Sequence, residues 1–72
     1  MKALIAAVAV EKTAATFDDL FDYVVPDYLA GAVRAGARVI VPFGRGNRTR
    51  AGVVFSVGER ETEAKLKEIY SA

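Results

Sequence analysis

Residues 38–57, RVIVPFGRGNRTRAGVVFSV, constrain the fold more than any other part of the chain. Two apolar runs flank a polar tip whose glycines and asparagine accept positive φ at little cost. In RVIVPF, residues 38–43, Val39, Val41 and Phe43 share one face of a strand, while Arg38 and Ile40 share the other. Pro42 has no N–H to give a ladder, so it belongs at a sheet edge or a bulge. The tip GRGNRT reverses the chain, and RAGVVFSVGE, residues 50–59, returns as the second strand of a hairpin. Gly52 inside that strand predicts a bulge or the close approach of another backbone.

Residues 2–10, KALIAAVAV, read as a first strand, with a helix start as the alternative because alanine is so frequent. The apolar run after Lys2 has the outline of a signal peptide. It is short, however, and Glu11 and Lys12 follow it without a cleavage site, which favours a buried strand. Residues 11–20 read as a loop, in which Thr16 followed by Asp19 resembles a capping box for one helical turn. Residues 21–25 form a strand stopped by Pro26, and PDYLAGAVRAG then carries turn chemistry at Pro26, Gly31 and Gly36. Residues 61–70 predict a short C-terminal helix, with Thr62, Leu66 and Ile69 at i, i+4 and i+7. Glu61–Lys65 and Glu63–Lys67 are helix-favouring pairs worth ~0.2–0.5 kcal/mol each. So short a helix is marginal alone and has to pack on the sheet. The expected fold is mainly β. It is a small, twisted, partly closed barrel, OB-like or SH3-like, of about four strands with a short C-terminal helix.

The 72 residues make a single domain, 1–72, and an apolar fraction of 53% supports one thin core. With no Cys and no His, the sequence excludes a disulfide, a Cys/His zinc site and a histidine base. The lack of cysteine fits a reducing, cytoplasmic setting. No stretch reaches the ~18 apolar residues of a membrane helix, and no membrane partner is expected. Net charge is only +1, but its distribution is uneven: Arg34, Arg38, Arg45, Arg48 and Arg50 fall in residues 34–50 with no acid among them. That segment is either a solvated loop region or a surface that faces a polyanion.

Catalysis has little to work with. Asp18, Asp19 and Asp22 could suggest magnesium, but early-turn carboxylates favoured by a helix dipole explain the first two better. GRGNRT lacks the Lys-Ser/Thr and the following helix of a phosphate-binding loop. Asp22 is the odd residue. It sits between Phe21 and Tyr23 in a strand, where aspartate is depleted. It is either an exposed edge position, a cap on nearby N–H groups, or an acceptor for a ligand that carries a donor. Because a carboxylate repels phosphate, on a nucleic-acid binder it reads a base amino group or a free hydroxyl. Aromatic neighbours supply a wall for a base or sugar.

FDYVVP (21–26), AGARVIVPFG (35–44), RAGVVFSV (50–57) and KLKEI (65–69), in this order and spacing, resemble the N-terminal domain of the bacterial primosomal protein N-prime (PriA) family of replication-restart helicases. The likeness runs from residue 3 to residue 70. It implies a module, cut from a longer helicase chain, that binds the 3′ end of the nascent leading strand at stalled forks without regard to base. It also implies a terminus-binding pocket of Phe21, Asp22, Tyr23, Gly44 and Lys67, with Lys65 as the competitor for the last place. Arg45, Arg48 and Arg50 are then candidates for the DNA backbone. The implied partners are single-stranded or forked DNA with a free 3′ end and the remaining helicase domains. No enzymatic activity and no cofactor are expected of this domain, since ATP, magnesium and zinc belong to the rest of the family's chain. One departure is the longer TAATFDDL, residues 13–20, which contains a decoy Thr-Phe-Asp; only the triplet at Phe21 has the following Tyr and the right distance to Pro26. The rival readings are a general single-strand or RNA-binding barrel with no end preference, and a protein-interaction barrel.

Overall fold

The computed structural model describes residues 2–11, 20–62 and 65–72. Strands β1 (Lys2–Val10), β2 (Leu20–Val24), β3 (Arg38–Phe43) and β4 (Arg48–Glu61) form one antiparallel sheet in the order β2-β1-β4-β3. A short 3-10 turn, Asp27–Leu29, follows Pro26. Mainly β is therefore right, with the bounds of two strands displaced: β2 begins and ends one residue earlier than read, and β4 extends beyond both ends of residues 50–59. The loop read at 11–20, its Thr16/Asp19 cap and the carboxylates Asp18 and Asp19 lie almost wholly outside the described residues. Among the described residues no helix is long and apolar enough to cross a membrane.

Alternation decides the inner face. Ala6, Val8 and Val10 of β1, Tyr23 of β2, Val39 and Val41 of β3 and Val54 of β4 are buried in one cluster with Val25, Val33 and Ile69. Of the alanines that made β1 ambiguous, Ala6 lies on this face, while Ala3, Ala7 and Ala9 alternate to the other. Ala6 is fully buried, cross-strand from Tyr23. The sheet's curl is plain from the edges: Phe21 of β2 and Phe43 of β3 meet edge to face with ring centroids 5.2 Å apart. These strands stand at opposite edges of the sheet.

β4 accommodates that curl with a bulge. Ala7 pairs with Ser56 but Val8 pairs with Val54, so Phe55 is the extra residue and points to solvent. Gly52 serves the other expectation: a Cβ there would lie 2.6 Å from Val8 Cγ1 and 3.0 Å from the Ala9 carbonyl oxygen. Pro42 sits on edge strand β3, as its missing N–H requires. The hairpin tip turns through Gly44 and Asn47, both at positive φ.

The expected C-terminal helix is not formed. Glu61 is the last residue of β4, and residues 65–72 run as an irregular segment that bonds to the outer sides of both edge strands. Val24 of β2 donates to Lys67 C=O (2.9 Å) and accepts from Ile69 N–H (3.1 Å). Ile40 of β3 donates to Ser71 C=O (2.9 Å) and accepts from Tyr70 N–H (2.8 Å). A helix would have satisfied its own backbone and left these edge groups unpaired. The spacing that suggested a helical stripe places Ile69, 1% exposed, in the core between the two edges. The partly closed barrel needs the same correction. The ladder is open, β2 and β3 remain edges, and the crossing segment joins them by isolated bridges instead of a strand.

Ile69→Ala should cost about 2–5 kcal/mol of unfolding free energy in a urea titration, the range for emptying a core position. Gly52→Ala should cost about 1–3 kcal/mol in the same titration, because β-branched Val8 and the β1 backbone must both give way.

Candidate nucleic-acid interface

Where the curled sheet brings the edges together, β2, the end of β3 and the C-terminal segment enclose an open hollow of about 500 Å³. Its walls are Leu20 to Tyr23 from β2, Pro42 to Gly44 from β3 and the following turn, and Lys65 to Lys67 from the crossing segment. Phe21, Asp22, Tyr23, Gly44 and Lys67, named from sequence, all line it, and so does Lys65.

Each wall residue has a local cause. Tyr23 alternates onto the inner face, is 4% exposed, and its hydroxyl donates to the Pro42 carbonyl at 2.8 Å. Within an antiparallel strand the N–H and C=O of one residue point to the same side, and that side alternates along the strand. Ile40 points outward, so Pro42, two residues on, does too; its ring removes no ladder bond and its carbonyl is free for Tyr23. Burial pushes the Tyr23 phenol above its usual value of 10.0. Tyr23 is thus a tie between the two edges, while the rings of Phe21 and Phe43 supply the apolar surface.

Gly44 has φ +74, where other residues are strained, and a Cβ on it would meet nothing within 4 Å. Close approach of another part of the chain is therefore not its reason; the turn's backbone conformation is. Lys67 Nζ donates to the Gly44 carbonyl at 2.6 Å, closing the hollow's rim from segment to turn. Lys65 and Lys67 both line the hollow.

Asp22 is exposed, as alternation opposite Tyr23 requires, and is not bonded to its own strand's backbone. Its Oδ2 lies 3.0 Å from Arg60 Nη2. Asp22 pairs with Ala7 of β1, and Arg60 pairs with Ala3 of the same strand, so the ion pair reaches diagonally over β1. Sequence reasoning missed Arg60, because nothing before the strand order is known links β2 to the end of β4. The outward bonds of Val24 imply that the N–H and C=O of Asp22, two residues back, also face the free edge beside the hollow.

The basic segment does not form one surface. Arg45 is exposed at the hairpin tip. Arg48 pairs with Phe43 and Arg50 with Val41, which puts both on the inner-face side; Arg50 is half-buried, and its Nε has no hydrogen-bond partner. None of the three lines the hollow. Arg38 pairs with Val53 and alternates to the face opposite Val39. Among the described residues, no group of three or more His, Cys, Asp or Glu could hold a metal ion.

The fold and the hollow define a small β-sheet binding module with an apolar floor and a lysine-bearing rim. The model of the PriA 3′DNA-binding domain (3′BD) family matches residues 7–72, and the chain belongs to that family. Over 39 residues it is 49% identical to Replication restart protein PriA of Bacillus subtilis (strain 168), a stretch that covers 54% of this chain and 5% of that protein. No solved structure gives a significant match.

The buried phenol has a consequence at high pH. The folded state holds the Tyr23 proton more tightly than the unfolded chain does, so the stability tied to neutral Tyr23 is complete below pH 10.0 and is lost as pH rises through the higher folded value. Tyr23→Phe should cost about 1–2 kcal/mol near neutrality by leaving the Pro42 carbonyl unpaired. Thermal melts of the variant between pH 9 and 11 should lack the alkaline destabilisation that the parent shows.

Proposed function

We propose that this domain recognises the 3′ terminus of a DNA strand, without regard to the terminal base, as one module of a longer replication-restart helicase. The observation that carries the reading is the convergence of Phe21, Asp22, Tyr23, Gly44 and Lys67, from three separate segments, around one hollow. Membership in a family described as 3′DNA-binding domains supports it.

The chemistry follows from what distinguishes a strand's end from its interior. At a 3′ terminus the last sugar carries a hydroxyl, a donor; at any internal position that oxygen carries a phosphate. The Asp22 carboxylate accepts from the hydroxyl and opposes the phosphate, since like charges set against each other at an interface cost several kcal/mol. The rings of Phe21 and Phe43 take the terminal base or sugar, and stacking tolerates any base. The outward N–H and C=O of Asp22 offer one donor and one acceptor, which every base edge can use in some register. Lys67 exchanges its bond to the Gly44 carbonyl for the nearest phosphate. Arg45 and Arg48, exposed at and beside the hairpin tip, meet the flanking backbone and make binding salt-sensitive; Arg50, half-buried, is the weakest of the three for that role.

Residues 1–72 act in this reading as the end-sensing domain of a cytoplasmic protein whose ATP-driven, magnesium-dependent helicase and zinc-binding parts lie elsewhere in the parent chain. The domain itself binds and does not catalyse.

Fluorescence anisotropy with one short single strand, ending in a 3′-hydroxyl or a 3′-phosphate, tests the proposal. The parent should favour the hydroxyl end, and Asp22→Ala should lower that preference by about five- to tenfold. Equal affinity of the parent for the two ends would overturn end recognition and leave a general single-strand binder. No binding even at low salt would leave a protein-interaction domain.

A further inference from the structure

We infer that Arg60 sets how sharply the proposed end site discriminates, by balancing the Asp22 carboxylate against which a polyanion must dock. The inference rests on the 3′-end reading of that site.

A bare carboxylate beside a DNA-binding hollow opposes more than a blocked terminus. Screening in dilute salt is weak over ~10 Å, so its charge also reaches the phosphates of the strand it is meant to admit. Arg60 Nη2 stands 3.0 Å from Asp22 Oδ2 and reduces that charge to a dipole. The pair does little for folding. Its side chains are 55% and 44% exposed, a setting in which an ion pair contributes little stability. Nor is it local, since Arg60 is the next-to-last residue of β4 and reaches across β1 to β2. A long arginine committed to an acid at the hollow, for little gain in stability, fits a role in what the hollow binds.

The sign of the effect follows. With Arg60 present, a 3′-phosphate meets a carboxylate whose charge is already balanced, so its exclusion is incomplete. With Arg60 neutralised, Asp22 keeps its hydrogen bond to a hydroxyl but meets a phosphate as an uncompensated anion. Removing this cation should therefore weaken binding of both ends and weaken the phosphate end more.

The experiment is the same anisotropy comparison, with Arg60→Gln, Arg60→Lys and the double variant Asp22→Asn/Arg60→Gln. The ratio of hydroxyl-end to phosphate-end affinity is taken within each variant, so the fraction of folded protein cancels. Arg60→Gln should raise that ratio about three- to fivefold over the parent at low salt, with a smaller rise as salt increases. Arg60→Lys should keep the parent's ratio, and the double variant should lose the rise, because its pair is neutral again. A parent that prefers the hydroxyl end while Arg60→Gln shows an unchanged or lower ratio would overturn the role of Arg60 alone. A parent with no preference would overturn the end site itself, and this inference with it.

Discussion

Everything else in this domain depends on the backbone bonds that residues 65–72 make to Val24 on one sheet edge and Ile40 on the other. A four-stranded antiparallel sheet of this length has two exposed rows of N–H and C=O groups and one apolar face too small to bury itself. Curling the sheet brings Phe21 to Phe43 and the Tyr23 hydroxyl to the Pro42 carbonyl. The crossing segment then saturates part of each edge and drops Ile69 into the remaining gap. Hydrogen bonding and apolar burial are satisfied by one stretch of chain, which is why that stretch is not helical.

The hollow is a by-product of the same closure. The segment bonds at Val24 and Ile40 but spans the two strands obliquely, so beside it the edges of β2 and β3 remain separated by open space. What lines that space is whatever alternation puts there. Tyr23 faces the core and ties the edges; Asp22 faces out and meets Arg60; Gly44 turns the chain at positive φ and leaves its carbonyl for Lys67. The electrostatic character is mixed: one carboxylate compensated by a guanidinium and two lysines at the rim.

Much of this was legible in the sequence because strands announce themselves by a period of two. Val39, Val41 and Phe43 read as one face, Pro42 as an edge or bulge position and Gly52 as a bulge or a close approach of another backbone; the fold has the shared face, the edge and the close approach. The misreadings share one cause. Thr62, Leu66 and Ile69 have helical spacing, and the acid–base pairs around them favour a helix, but such local preferences amount to tenths of a kcal/mol. Two open sheet edges outweigh them. The ambiguity of β1 arose similarly: alanine is depleted in strands, and only pairing on both sides, with β2 and β4, makes residues 2–10 a strand.

By itself the sequence determined which residues could share a face, where the chain had to turn, and that no cysteine or histidine chemistry was available, since these follow from covalent geometry and composition. It also carried, in four short motifs, the family to which the chain belongs. The tertiary structure alone decided that β2 and β3 stand at opposite edges yet touch, that the last residues cross between them, and that Arg60 answers Asp22. Those contacts join residues far apart in the chain. Their existence depends on strand order and sheet curvature, which no local pattern encodes.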